Sequence, residues 1–186
     1  MWGKNFPRVC LEIAACFFIS SCGNGELVRN LAESDSSKNY IGVDIRDSYV
    51  RDALRVEPHL PNLHYVQANL TFNAAPVLGT LPSLVQSLSV MYPDPWFKPK
   101  HHKRRLMNPE FLAALAPFVA SQAPLHFQTD SFDLFTEAEE LLMNNPHFIR
   151  QVPDPVESPF ASTTYFQRRT VQLESRNQFM LLALRV

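Results

Sequence analysis

"CGNGELVRNLAESDSSKNYIGVD", Cys22 to Asp44, joins a two-glycine turn, a polar stretch of helical length and an apolar run that ends on an acid. In a GxG turn, backbone N–H groups can approach a ligand with no Cβ in the way. The chain has only five glycines, so the placement of Gly23 and Gly25 in one turn, and of Gly42 inside the following apolar run, is informative. Asp44 follows Gly25 by 19 residues and closes that run. An acid at such a strand end can accept both hydroxyls of a ribose.

Outward from this stretch, strand-like and helix-like segments alternate. Arg8–Ile13 reads as a first strand, Glu26–Glu33 as a short helix and Asn39–Asp44 as a second strand. Asp47–Val56 suits a helix, Leu63–Gln67 a third strand, Ser87–Met91 a fourth and Pro124–Thr129 a fifth. Asn108 is placed to cap a helix that opens on Pro109 and runs to about Phe118. An acidic helix over Phe132–Met143 follows, and Asn177–Val186 reads as a late strand paired near His147–Val152. Thr71–Pro82, with two prolines and a glycine, reads as an irregular connection. Alternation of this kind implies parallel pairing through crossovers, hence a three-layer α/β sandwich with ligands beyond the carboxyl ends of the strands.

Length and composition fit one domain over residues 1–186: 46% hydrophobic and 19% charged residues describe an ordinary globule. The formal net charge is −1, yet five of the 17 lysines and arginines lie between Lys98 and Arg105. A basic cluster on a near-neutral chain points to a polyanion docking surface. The three cysteines, Cys10, Cys16 and Cys22, form no CxxC pair, which argues for reduced thiols and against zinc. No apolar run approaches the ~20 residues that span a bilayer, and the start lacks a signal-peptide layout. The expectation is a soluble, intracellular protein that does not meet a membrane.

The GxG turn lacks the third glycine of GxGxxG, and there is no GxxxxGK[ST]. Pyrophosphate is therefore poorly served, and a nucleoside ligand without phosphates, such as S-adenosylmethionine, fits what remains. Asn69, just after the third strand, stands where a side chain can reach an adenine amino group.

The second informative stretch is "MYPDPWFKPKHHKRRL", Met91 to Leu106. Pro93 and Pro95 fix their own φ and favour extended conformations over Met91–Asp94, so the Asp94 carboxylate has few backbone states. Lys98, Lys100, Lys103, Arg104 and Arg105 suit backbone phosphates. His101 and His102 are adjacent, a poor spacing for chelating one metal, and suit hydrogen bonding to RNA or plain exposure. Trp96 and Phe97 can stack on a base or pack under the loop.

This block closely resembles the signature of the tRNA guanine-N7 methyltransferases. LEI…CGNGE, YIGVDI, Asn69, the QTD of Gln128–Asp130 and a threonine-led segment near Thr163–Arg168 fall in the family's order. The resemblance implies a Rossmann-like class I methyltransferase fold, mostly parallel with an antiparallel C-terminal strand. It implies methyl transfer from S-adenosylmethionine to N7 of guanine 46 in the tRNA variable loop, with no metal and with Asp94 as the catalytic residue. By the same resemblance Glu12, Cys22, Gly23, Gly25, Asp44, Ile45, Arg46, Asn69, Leu70 and Met91 hold the cofactor. Lys98, Lys100, His101, His102, Lys103, Arg104, Arg105, Asp130, Thr163 and Thr164 face the tRNA. Eukaryotic relatives can work with a partner subunit, so a monomer, a homodimer and such a pairing all stay open.

Two departures stand out. A glutamate commonly follows the family's threonine by three residues, whereas Phe166 or Gln167 stands here. The family also runs LEIG directly into CGxG, while here eight residues, Ala14–Ser21, intervene. They read as a lengthened turn over the methionine end of the cofactor, or as an extension or bulge of the first strand. Cys-Phe-Phe-Ile-Ser-Ser is also what a pyrimidine tract ending in a splice acceptor encodes, which transcript sequencing tests. Alternative functions are a non-catalytic tRNA-binding relative with a disrupted cofactor turn, and an amino-group N-methyltransferase of the same fold.

Overall fold

The computed structural model describes residues 16–154, 160 and 178–186. Seven strands form one sheet: β1 (Cys16–Ser20), β2 (Asn39–Asp44), β3 (Leu63–Gln67), β4 (Val85–Met91), β5 (Pro124–Thr129), β6 (Phe148–Arg150) and β7 (Phe179–Arg185). Their spatial order is β3-β2-β1-β4-β5-β7-β6. The first five pair in parallel, while β7 runs antiparallel to both β5 and β6. The parallel strands therefore end on one edge, and the chain reverses its winding between β1 and β4, where a ligand crevice forms.

β1 corrects the reading of Ala14–Ser21 as a lengthened turn. Cys16–Ser20 is an interior strand, bonded to β2 on one side and β4 on the other. Its side chains alternate between two cores. Cys16 and Phe18 pack with α3 (Leu70–Leu78), α4 (Pro109–Leu115) and α5 (Phe132–Met143), whereas Phe17 and Ile19 join α1 (Glu26–Ser34) on the opposite face. A strand buried on both faces needs an unbroken apolar run, and CFFI is one. The expected strand Arg8–Ile13 lies outside the described residues.

A second correction concerns Thr71–Pro82, which holds a helix. The Asn69 side chain accepts from the Thr71 N–H at 3.1 Å and caps α3. Asn73 departs from helical geometry (φ −119°), so Pro76 falls near the start of a second helical piece, where a missing N–H is tolerated. Elsewhere the expected segments form with small shifts. α2 spans Asp47–Leu54, β4 begins at Val85, and α4 gives way to a 3-10 turn over Ala116–Phe118. Asn108 and Ser131 cap α4 and α5 by accepting from Phe111 N–H and Leu134 N–H. Among the described residues, no helix is long and apolar enough to cross a membrane.

Candidate active site

The parallel sheet gathers the expected residues at its carboxyl edge. Cys22–Gly25 follows β1, Asp44–Arg46 ends and follows β2, Asn69–Leu70 follows β3, Met91–Asp94 ends and follows β4, and Asp130 follows β5. Glu12, Thr163 and Thr164 lie outside the described residues.

The turn after β1 is short and built from left-handed backbone, with φ of 55° at Ser21, 57° at Gly23 and 77° at Gly25. Asp44, 8% exposed, organises it: one carboxylate oxygen accepts from Gly23 N–H and the other from Arg46 N–H, both at 2.9 Å. The two glycines serve different ends. A Cβ at Gly25 would stand 2.5 Å from the Tyr65 ring, whose hydroxyl donates to the Gly25 carbonyl at 2.8 Å. A Cβ at Gly23 would meet nothing within 4 Å. Gly25 thus admits a packing partner, while the Cα of Gly23 faces open space. At the end of β1, the Ser20 hydroxyl is buried with no hydrogen-bond partner among the described residues. A tight glycine turn, an acid at the neighbouring strand end and an unsatisfied hydroxyl fit a nucleoside with a polar tail. The Cys22 thiol is pushed well above its ordinary range by burial and then by Asp44, so it stays protonated and inert. Leu70 and Met91 are buried, Ile45 is exposed, and the Asn69 oxygen is engaged as the α3 cap.

The turn after β4 departs from the expected extended course at its start. Tyr92, directly before Pro93, has φ of 48° and Trp96 has φ of 45°. Tyr92 is held there by hydrogen bonds: its N–H donates to the Gln128 carbonyl, and its hydroxyl accepts from the Gln128 amide, both at 2.8 Å. The same hydroxyl donates to Gln178. Asp94 is exposed, and its Oδ1 accepts from Arg46 Nη2 at 2.8 Å. The two partners are about half exposed, so such a pair adds only ~0.2–1 kcal/mol to stability. Its significance is geometric, because Arg46 touches both acids of the site, Asp44 through its backbone and Asp94 through its side chain.

The basic block folds as a 3-10 turn over Pro99–Arg104. Lys98, Lys100, Lys103 and Arg104 are exposed, and His101 and His102 are half-buried. Trp96 packs beneath the turn, with the His101 ring edge-on at 5.7 Å and the Arg104 guanidinium 5.0 Å from its ring centre. Phe97 is turned outward, 72% exposed. Arg105 corrects the expectation of a phosphate contact, since its side chain is 4% exposed and committed inside the protein. Its Nε donates to the Pro95 carbonyl at 2.8 Å, and its guanidinium is ion-paired with Glu137 of α5. It braces the loop that carries Asp94 against the helix behind it. Tyr65, Tyr92 and Glu137 are the site's unforeseen supports. Tyr65 and Glu137 lie outside the motifs, Tyr92 stands in the signature block with no role read for it, and only the folded topology shows what each supports.

With this geometry in place, similarity to known proteins is informative. A family model described as "Putative methyltransferase" matches residues 12–179. The chain is 34% identical over 136 residues to a tRNA (guanine-N(7)-)-methyltransferase of Synechococcus elongatus, covering 72% of this chain and 64% of that protein. It is 29% identical over 174 residues to one from Synechococcus sp. strain JA-2-3B'a(2-13), covering 91% and 72%. Among solved structures, the aminoglycoside resistance methyltransferase NpmB1 matches with a TM-score of 0.64 at 16% identity, over 96% of this chain and 90% of that one. The 16S rRNA methyltransferase KamB matches with a TM-score of 0.64 at 16% identity, over 97% and 93%. These structures share the fold, and the match spans 64% of the length of the Synechococcus elongatus relative. The family match, which runs from before β1 to the start of β7, decides the assignment: the chain belongs to this methyltransferase family.

Proposed function

We propose that the chain transfers a methyl group from S-adenosylmethionine to N7 of a tRNA guanine, guanine 46 of the variable loop. The observation that carries this reading is the position of Asp94, ion-paired to Arg46 of the nucleoside turn and followed at once by four exposed cations. A carboxylate beside a nucleoside cradle, at the root of a phosphate-binding turn, suits a base presented by an RNA. The named relatives support the same chemistry.

When bound, S-adenosylmethionine supplies an electrophilic sulfonium methyl. In this chain Asp44 would accept the ribose hydroxyls, Asn69 would face the adenine, and the open Cα side of Gly23 would receive the methionine end. Guanine N7 carries an in-plane lone pair and no proton, so no strong base is needed. The transition state gains from alignment and from a negative group near the charge that develops on the purine. Asp94 can accept from the guanine amino edge and offset that charge, while Lys98, Lys100, Lys103 and Arg104 hold the backbone. The tRNA stands as the partner, and the chain acts in the compartment where tRNA is modified. The continuity of β1 into the glycine turn supports an intact cofactor turn.

The test is methyl transfer to an unmodified tRNA transcript, with nucleosides identified by mass spectrometry and the site mapped by cleavage at 7-methylguanosine. 7-Methylguanosine at position 46 is expected. Another methylated nucleoside, or none, would overturn the reading.

A further inference from the structure

Asp94 has two oxygens in different circumstances. Oδ1 is engaged by Arg46, whereas Oδ2 has no hydrogen-bond partner among the described residues. The Arg46 guanidinium is itself fixed from several sides. Nη2 donates to Asp94 at 2.8 Å, Nη1 donates to the Tyr49 hydroxyl at 3.1 Å, and the guanidinium carbon stands 5.1 Å from the centre of the Tyr49 ring. Its backbone N–H is bound by Asp44. Partial burial works against the Arg46 charge, yet Asp94, Tyr49 and Asp44 together hold it above the ordinary arginine range. A planar fork anchored this way constrains a carboxylate in direction as well as distance.

We propose that Arg46 is a positioning residue for Asp94: it fixes one carboxylate oxygen so that the other is presented to the guanine edge. The inference rests on the N7-methylation reading and adds to it a role for Arg46 beyond contact with the cofactor. Because Asp44 holds the Arg46 backbone, the ribose acceptor and the guanine acceptor are set by a single residue, and both ends of the transfer are registered against each other. Tyr49, one helical turn along α2, is the outer support of the same device.

The full chain provides the test, through a double-mutant cycle on single-turnover methyl transfer to an unmodified tRNA transcript at saturating S-adenosylmethionine. Arg46→Gln should lower the rate by about tenfold to a hundredfold, the scale of a misplaced reacting group. S-adenosylhomocysteine affinity, read by calorimetry, should change by less than about fivefold, far less than the rate. Arg46→Lys should recover part of the loss, because it keeps the charge and loses the fork. The decisive arm adds Arg46→Gln or Tyr49→Phe to Asp94→Asn, where each should cost less than about twofold more, since the group they position is gone. Rate losses that multiply with that of Asp94→Asn would overturn the proposal while leaving the methylation reading intact. So would a loss of S-adenosylhomocysteine affinity that matches the loss of rate. If the wild-type chain forms no 7-methylguanosine, the reading falls and the proposal with it.

Discussion

The turns after β1 and β4 leave neighbouring strands at one edge of the sheet, yet they are made of opposite materials. The first is a backbone device, with two left-handed glycines and one acid, Asp44, drawn in to accept from Gly23 N–H. The second is a side-chain device, with two prolines, two left-handed aromatic residues, an outward carboxylate and a turn of cations. The difference follows from the ligands each would meet. A small nucleoside needs close backbone approach, and a large polyanion needs charge and reach. Substitutions in the first turn should therefore act on folding and ligand affinity, and those in the second on rate and RNA binding.

The strongest way to break this contrast is at Asp94. Asp94→Ala should lower turnover by roughly 10²–10³-fold with an unchanged melting temperature, the scale of losing one electrostatic group aimed at developing charge. Unaltered turnover would remove Asp94 from the chemistry. Next comes Gly25→Ala, which adds a left-handed strain and drives the Tyr65 ring away from its hydrogen bond. About 3 kcal/mol of destabilisation is expected by denaturant unfolding, against ~1 kcal/mol for Gly23→Ala, where only the backbone term remains. Equal losses at the two glycines would show that Tyr65 does not matter.

Acidity should separate the two turns by a smaller margin. His126, on β5 two residues before the Gln128 that steadies Tyr92, is held down to about 4 by burial, against an ordinary value of 6.5. Between those values the unfolded chain takes up the proton and the folded chain does not. The stability held by neutral His126 is thus complete above pH 6.5 and drains as pH falls toward 4, by about 2 kcal/mol after allowing for its partial exposure. His126→Leu should flatten unfolding free energy against pH across that window, and an unaltered slope would refute the assignment. The smallest effect is the most diagnostic for the basic turn. Lys100→Ala or Arg104→Ala should each reduce the log–log salt slope of tRNA binding by about 1. Arg105→Met should leave that slope unchanged and lower the melting temperature instead, because its charge faces Glu137.

Much of this was legible in the chain. β2, β3, β5 and α5 form over the residues expected of them, since each is an apolar pattern bounded by polar or turn residues. The carboxyl-edge placement of Gly23, Asp44, Asn69 and Asp94 followed from strand order alone. What escaped had physical causes. Pro76 and Gly79 look like breakers, but a cap at Asn69 and a restart near Asn73 let the segment coil. Arg105 is chemically indistinguishable from Arg104 in a string of letters, and only the arrival of Glu137 from α5 decides which one is buried. Tyr92 reads as an extended residue before proline until the glutamines that hold it otherwise are brought alongside.

The place of Cys16–Ser20 in the sheet gives the chain two tandem candidates for one slot. Removal of the eight residues Ala14–Ser21 would join Ile13 to Cys22, so that Arg8–Ile13 would slide into the register now held by Cys16–Ser21. Leu11 would align with Ile19 and Cys10 with Phe18, apolar for apolar. Glu12 would align with Ser20, the strand-end position whose hydroxyl is buried without a partner. A chain shortened in this way would exchange one keel for another, and the change of consequence would be a single polar letter at its tip, from hydroxyl to carboxylate.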